Sequence, residues 1–153
     1  MKKILIIEDD LFLGNVLTQK LTTEGFDVAL SRDGLKGFGK MKSFHPDLVL
    51  LDIILPNMNG YEILEARQKD PSLADIPVII ISNSGQPVEI NRALALGIKD
   101  YLVKAQFDPE EVIAKVRASL SKNEGLPSPV KSLENVMNQK INTVNLEGKK
   151  IVW

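Results

Sequence analysis

A set of polar side chains falls where they could act together. Glu8, Asp9 and Asp10 directly follow Ile4–Ile7, and Asp52 follows Leu48–Leu51. Ser82 and Asn83 follow Val78–Ile81, and Lys104 follows Tyr101–Val103. Carboxylates brought together repel unless a cation lies among them. Mg²⁺ suits such a site, as a hard ion that takes one or two carboxylates and keeps several waters. A hydroxyl and a lysine ammonium alongside complete a cradle for a tetrahedral, doubly charged phosphoryl group. One acid at a strand end is commonplace where the chain returns to water. Chemistry-bearing groups at four strand ends are not.

The elements that must position these groups are legible in the apolar pattern. The four runs just named are rich in β-branched residues and show no polar alternation. Short continuous apolar runs mark strands buried on both faces, as in a parallel sheet. A fifth run, Phe26–Leu30, contains Asp27 and reads as an edge strand. Helical spacing fills the gaps. Leu13, Val16, Leu17 and Leu21 form one stripe, and Leu35, Phe38 and Met41 a second. Ile63, Leu64 and Arg67 follow Gly60, while Ile90, Ala93 and Leu94 precede a closing Gly97. Asp108-Pro109-Glu110-Glu111 starts the last helix, whose stripe is Val112, Ile113, Val116 and Leu120. Strand and helix alternate five times over residues 1–121. That order predicts an α/β protein with a parallel sheet, helices on both faces and right-handed crossovers. Ligands of such sheets bind outside the carboxyl ends of the strands, the edge from which the polar set projects.

Composition sets outer bounds. The 153 residues suit one domain with a short remainder. At 44% hydrophobic and 25% charged, an ordinary core is available. Nineteen basic against 20 acidic residues leave a net charge of −1, with no global pull toward nucleic acid or anionic lipid. The expectation is therefore no direct nucleic-acid contact. The absence of cysteine excludes disulfides and cysteine-ligated zinc. No apolar run approaches the roughly 20 residues that span a bilayer. The N-terminal run also meets Glu8-Asp9-Asp10 too soon for a secretory signal. The expected location is cytoplasmic, with no membrane partner.

Residues 1–121 resemble the receiver domain of bacterial two-component response regulators. The resemblance is carried by Ile-Ile-Glu8-Asp9-Asp10, by Pro46-Asp-Leu-Val-Leu-Leu-Asp52-Ile-Ile-Leu-Pro56-Asn-Met-Asn-Gly60, by Ile-Ile-Ile-Ser82 and by Tyr101-Leu-Val-Lys104. It implies a doubly wound, flavodoxin-like sheet of five parallel strands in the order 2-1-3-4-5. It also implies a phosphoprotein of phosphorelay signal transduction. Asp52 would be the phosphoacceptor, forming an aspartyl phosphate from a phosphohistidine on a sensor histidine kinase or phosphotransfer domain. Asp9 would ligate Mg²⁺, with Glu8 acting directly or through water and the Ile54 backbone carbonyl completing the protein ligands. Lys104 would contact the phosphoryl oxygens. Ser82 would be the switch hydroxyl, and Tyr101 the aromatic that changes rotamer with it. The surface of the fourth helix, fifth strand and fifth helix would signal to a downstream protein or fused domain. A second copy of the chain is a further candidate partner.

Two positions depart from the family pattern. The family usually follows its lysine with a cis proline, whereas Lys104 precedes Ala105. A cis bond without proline costs about 2.5–4 kcal/mol, so this loop either stores that strain or relaxes to trans. Asn83 stands where a small residue is usual, which bears on access of water to a phosphoaspartate. Two rival functions stay open. A phosphatase using an aspartyl-phosphate intermediate typically has a second acid two residues after its nucleophile, and that position is Ile54. A receiver that no longer needs phosphate would keep the fold alone, and Ala105 keeps this rival alive. Slow self-dephosphorylation, rather than turnover of an external substrate, is the expectation.

Some signals point elsewhere. Gly34-Leu-Lys-Gly-Phe-Gly39-Lys40 has P-loop spacing up to its lysine, but Met41 cannot supply the hydroxyl that such a loop gives to Mg²⁺. Close packing is the better account of its glycines. His45, the single histidine, precedes Pro46 in a loop and suits a surface role. Residues 122–131 read as a linker from their Gly, Pro and Ser content. Residues 132–153 read as an extension with a short amphipathic helix. Its end, Lys149-Lys-Ile-Val-Trp153, echoes Lys2-Lys3-Ile4-Leu5-Ile6 and suggests the start of a second receiver-like domain.

Overall fold

The computed structural model describes residues 1–106 and 108–121. The expected linker, 122–131, and extension, 132–153, lie outside them. Five strands alternate with five helices: β1 (Lys3–Ile7), α1 (Leu11–Thr23), β2 (Asp27–Ser31), α2 (Gly34–Phe44), β3 (Leu48–Asp52), α3 (Gly60–Gln68), β4 (Val78–Ser82), α4 (Pro87–Ala95), β5 (Asp100–Val103) and α5 (Pro109–Leu120). A 3₁₀ turn, Lys104–Gln106, joins β5 toward α5. All pairings are parallel, in the order β2-β1-β3-β4-β5, as expected. β2 lies at an edge and is the least buried strand, in keeping with its charged Asp27.

The lack of alternation in the central strands has a direct cause. Successive side chains point to opposite faces, and both faces are covered. Leu5, Ile7, Val49, Leu51 and Ile80 pack on the side of α2, α3 and α4, against Met41, Ile63, Leu64 and Ile90. Ile4, Ile6, Leu48, Leu50 and Ile79 pack on the other, against Leu17 and Leu21 of α1 and Val112 and Val116 of α5.

Helix starts follow from their caps. Asp10, Asp33 and Asp108 accept from the amides of Leu13 (2.9 Å), Lys36 (2.9 Å) and Glu111 (3.0 Å). Asn59 and Glu62 form a reciprocal capping box at α3. α4 differs: Pro87 opens it, but Gln86 gives it no side-chain cap. Gly97, at φ +82°, closes α4 as the sequence predicts.

One stripe was misread. Leu35 is exposed, and the buried face of α2 is Gly34, Gly37 and Met41. A Cβ on Gly34 would lie 1.6 Å from the Met58 carbonyl oxygen, and one on Gly37 2.8 Å from the Ile7 side chain. Packing therefore accounts for two glycines of the P-loop-like segment. Gly39 faces open space and has no such constraint. His45 is exposed and ends α2 at φ +53°.

Candidate functional site

Because all five strands are parallel, their carboxyl ends share one edge. The pairings Ile7↔Leu51, Asp52↔Ile81 and Ser82↔Val103 bring the polar set into one row of neighbours. A cleft of about 330 Å³ opens there, lined by Asp9, Asp10, Asp52, Ile54, Ser82, Asn83, Ser84 and Lys104. Glu8 stands behind it and is almost fully buried, while Asp9 is exposed.

Lys104 joins two of the acids. Its Nζ lies 3.0 Å from Asp52 Oδ2 and donates to it, and 3.0 Å from Glu8 Oε1, donating to Glu8 Oε2 at 3.2 Å. Asp52 Oδ1 accepts from the Ile53 amide at 2.7 Å, so the two oxygens have different partners, a backbone amide and the lysine. The Asp10 amide donates to Glu8 Oε2 at 3.0 Å. Glu8 Oε1 has no hydrogen-bond donor among the described residues. Carboxylate oxygens of Glu8, Asp9 and Asp52 lie within 4.8 Å of one another. An all-oxygen set of three carboxylates, two of them buried and facing one another with a single ammonium between them, fits a hard divalent cation.

Electrostatics reflect the crowding. Burial pushes the Glu8 carboxyl up to about 7, opposed by the Asp10 amide and reinforced by the charge and proximity of Asp52. Burial alone would pull Lys104 down. Its hydrogen bonds to Glu8 and Asp52, with the charges of both, overcome this and hold the ammonium above its ordinary value.

The Lys104–Ala105 question resolves simply: no peptide is cis among the described residues. The chain turns into the 3₁₀ segment Lys104–Gln106, and the lysine still reaches both acids. Ile54 exposes its side chain and lines the cleft.

Ser82 and Tyr101 meet on one loop. Ser82 Oγ accepts from the Ser84 amide at 3.1 Å, and the buried Tyr101 donates its hydroxyl to the Ser84 carbonyl at 2.6 Å. Sequence reasoning missed Ser84, whose contacts with Ser82 and Tyr101 are made by its backbone and so carry no side-chain signal. It also missed Tyr61, which donates to the Glu89 carboxylate of α4 while Arg92 stacks 3.8 Å over its ring. These tyrosines are side-chain ties at the start of α4, the helix without a cap.

The family described as "Response regulator receiver domain" matches residues 4–117. The chain is 35% identical over 153 residues to the "DNA-binding dual master transcriptional regulator RpaA" of Synechocystis sp., covering 100% of this chain and 63% of that protein. It is 35% identical over 135 residues to the "DNA-binding response regulator MtrA" of Mycolicibacterium paratuberculosis, covering 88% and 58%. It thus spans about three fifths of the length of these curated relatives. Among solved structures, the CheY-like receiver domain protein of Methanospirillum hungatei superposes with a TM-score of 0.72. That match is 28% identical and covers 78% of this chain and 94% of the other. The expectation of no direct nucleic-acid contact finds no support in relatives named as DNA-binding. Near-zero net charge speaks only to long-range attraction by the residues present. Among the described residues, no helix is long and apolar enough to cross a membrane.

Proposed function

Since this chain belongs to the response regulator receiver domain family, we propose that its Asp52 accepts a phosphoryl group from a phosphohistidine on a sensor histidine kinase or phosphotransfer domain. The observation that carries this reading is the Asp52 carboxylate set beside both the Lys104 ammonium and the acids that follow β1, Glu8 and Asp9. In the transfer, an Asp52 oxygen bonds to phosphorus as the phosphorus–imidazole bond breaks, and the imidazole leaves with the bonding pair. Lys104 meets the phosphoryl oxygens. Glu8, Asp9, Asp52 and the Ile54 carbonyl would hold Mg²⁺, which when bound supplies positive charge against the incoming oxygens. Ile54 stands where a phosphatase of this type carries its acid, which supports an acceptor over a turnover enzyme. Slow self-dephosphorylation by water reaching the cleft past Asn83 belongs to the same reading.

The output follows from the Ser84 loop. A phosphoryl group drawing Ser82 inward breaks its bond with the Ser84 amide and frees Tyr101 from the Ser84 carbonyl. The added charge, about −1.5 to −2, then biases the position of α4 and its surface with β5 and α5. That surface addresses a downstream protein, a fused domain or a second copy of the chain, in the cytoplasm. The receiver unit is residues 1–121, with residues 122–153 as linker and extension.

The test is intact mass after incubation with Mg²⁺ and acetyl phosphate. One phosphoryl increment is expected for the wild type, and none with chelator or in Asp52→Asn. A folded wild type that gains nothing would leave the phosphate-independent module as the better reading.

A pH dependence follows from Glu8. Folded, it keeps its proton to about pH 7; unfolded, it releases it near 4.5. In metal-free protein the stability from this group is full below 4.5 and lost as pH rises toward 7. Mg²⁺ requires the carboxylate, so affinity should rise by up to about tenfold per pH unit below 7 and then level. Calorimetric titrations between about pH 5.5 and 8.5 check this. Glu8→Gln should flatten the profile, and a flat wild-type profile would remove Glu8 from the ligand set.

A further inference from the structure

The segment from Asp52 to α3 is held at two points with Ile54 between them. On one side the Ile53 carbonyl accepts from the Gly60 amide at 2.7 Å. On the other, the Pro56 carbonyl accepts from the Gly34 amide at 3.0 Å, at the first residue of α2. Next along the chain, Asn57 adopts φ +71°, a left-handed conformation that asparagine tolerates better than most residues. That turn aims its amide nitrogen at Asp33, and Asn57 Nδ2 donates to Asp33 Oδ2. The other oxygen of Asp33 caps α2 through the Lys36 amide at 2.9 Å. Asp33 thus has both oxygens engaged, one on its helix and one on the loop that carries Ile54. Neither residue lines the cleft.

We infer that Asp33 and Asn57 are positioning residues for the cation site, clamping the β3–α3 loop to the start of α2 so that the Ile54 carbonyl is already aimed at the ion. The clamp rests on the function proposed above, in which Ile54 is a ligand. It acts through geometry. A loop free to move would pay an ordering cost at each binding event, and a loop already fixed does not. Groups that hold ligands from behind typically change metal affinity by about 10–100-fold when removed.

A reciprocal exchange tests it. Asn57→Asp keeps the left-handed turn, which aspartate also tolerates, but sets two carboxylates face to face. Asp33→Asn combined with Asn57→Asp restores a donor opposite an acceptor and the wild-type net charge. Asparagine at 33 still caps α2 through its carbonyl oxygen. Mg²⁺ titrations of the full chain, followed by amide NMR shifts of Asp52–Ile54, give the affinity, and thermal melts run beside them. The expected result is half-saturation of Asn57→Asp at about tenfold higher Mg²⁺, with the double variant returned to the wild-type value. The metal-saturated rate of phosphorylation should stay unchanged in both. If Asn57→Asp binds Mg²⁺ as the wild type does, or if the double variant is not restored, the clamp is overturned while the acceptor site stands. If the wild type shows no Mg²⁺ response at all, the cation site falls and the clamp with it.

Discussion

Lys104→Met should slow phosphoryl incorporation into Asp52 by about 10²–10³-fold, the usual cost of removing one preorganised donor aimed at developing oxyanion charge. Lys104 brings its ammonium within 3.0 Å of both Asp52 and Glu8. Methionine matches much of its length and apolar stem but offers no charge. The variant should also lose stability in metal-free buffer, because Glu8 and Asp52 are left facing one another. The loss should be about 2–3 kcal/mol above pH 7, less than for a fully buried pair because the cleft admits water. As pH falls Glu8 takes up a proton, more readily without the lysine than with it, and much of the deficit should vanish. A time course of intact mass reads the first effect, and melts at low and high pH read the second. Wild-type incorporation rates in Lys104→Met would take the ammonium out of the transfer step.

The second large effect concerns two glycines of one helix, with opposite signs. Gly34→Ala places a methyl 1.6 Å from the Met58 carbonyl oxygen, a backbone atom of a loop pinned at Pro56 and Gly60. Either α2 or that loop must shift, at a cost of about 3 kcal/mol, seen as a midpoint lowered by roughly 10 °C. Gly39→Ala meets nothing within 4 Å and lies in the helix interior. Relief of glycine's conformational entropy there should stabilise by about 0.5–1 kcal/mol. Paired melts of the two variants check both signs. Equal losses would mean that α2 needs its glycines for something other than contact with β1 and the β3–α3 loop.

The contrast shows what a sequence discloses and what it withholds. Strand placement was readable because burial on both sheet faces leaves unbroken apolar runs such as Leu48–Leu51, whereas the strand order came from the family resemblance. The gathering of Glu8, Asp9, Asp52, Ser82 and Lys104 followed, since parallel strands end on one side. Boundaries drifted by a residue: β3 takes in Asp52 itself, and β4 takes in Ser82. Leu35 was credited to the core because periodicity counts apolar residues and cannot see that glycines, lacking side chains, let a helix approach most closely on their face. Lys104 was expected on phosphoryl oxygens alone. That it pairs with Glu8 as well depends on burial, which the order of residues does not display. The Asp33–Asn57 tie was invisible for a related reason. It joins two loops and depends on one residue's left-handed turn, a property of the backbone more than of composition.

The Glu8–Lys104 contact spans 96 positions of the chain and the Asp52–Lys104 contact 52. Synthesis runs from the amino end, so every acid of the cleft emerges well before the cation that balances it. A nascent chain carrying β1 and β3 alone holds mutually repelling carboxylates without the ammonium that pairs with both of them. The pairing of these acids is therefore complete only once the fifth strand has docked and brought Lys104 to them.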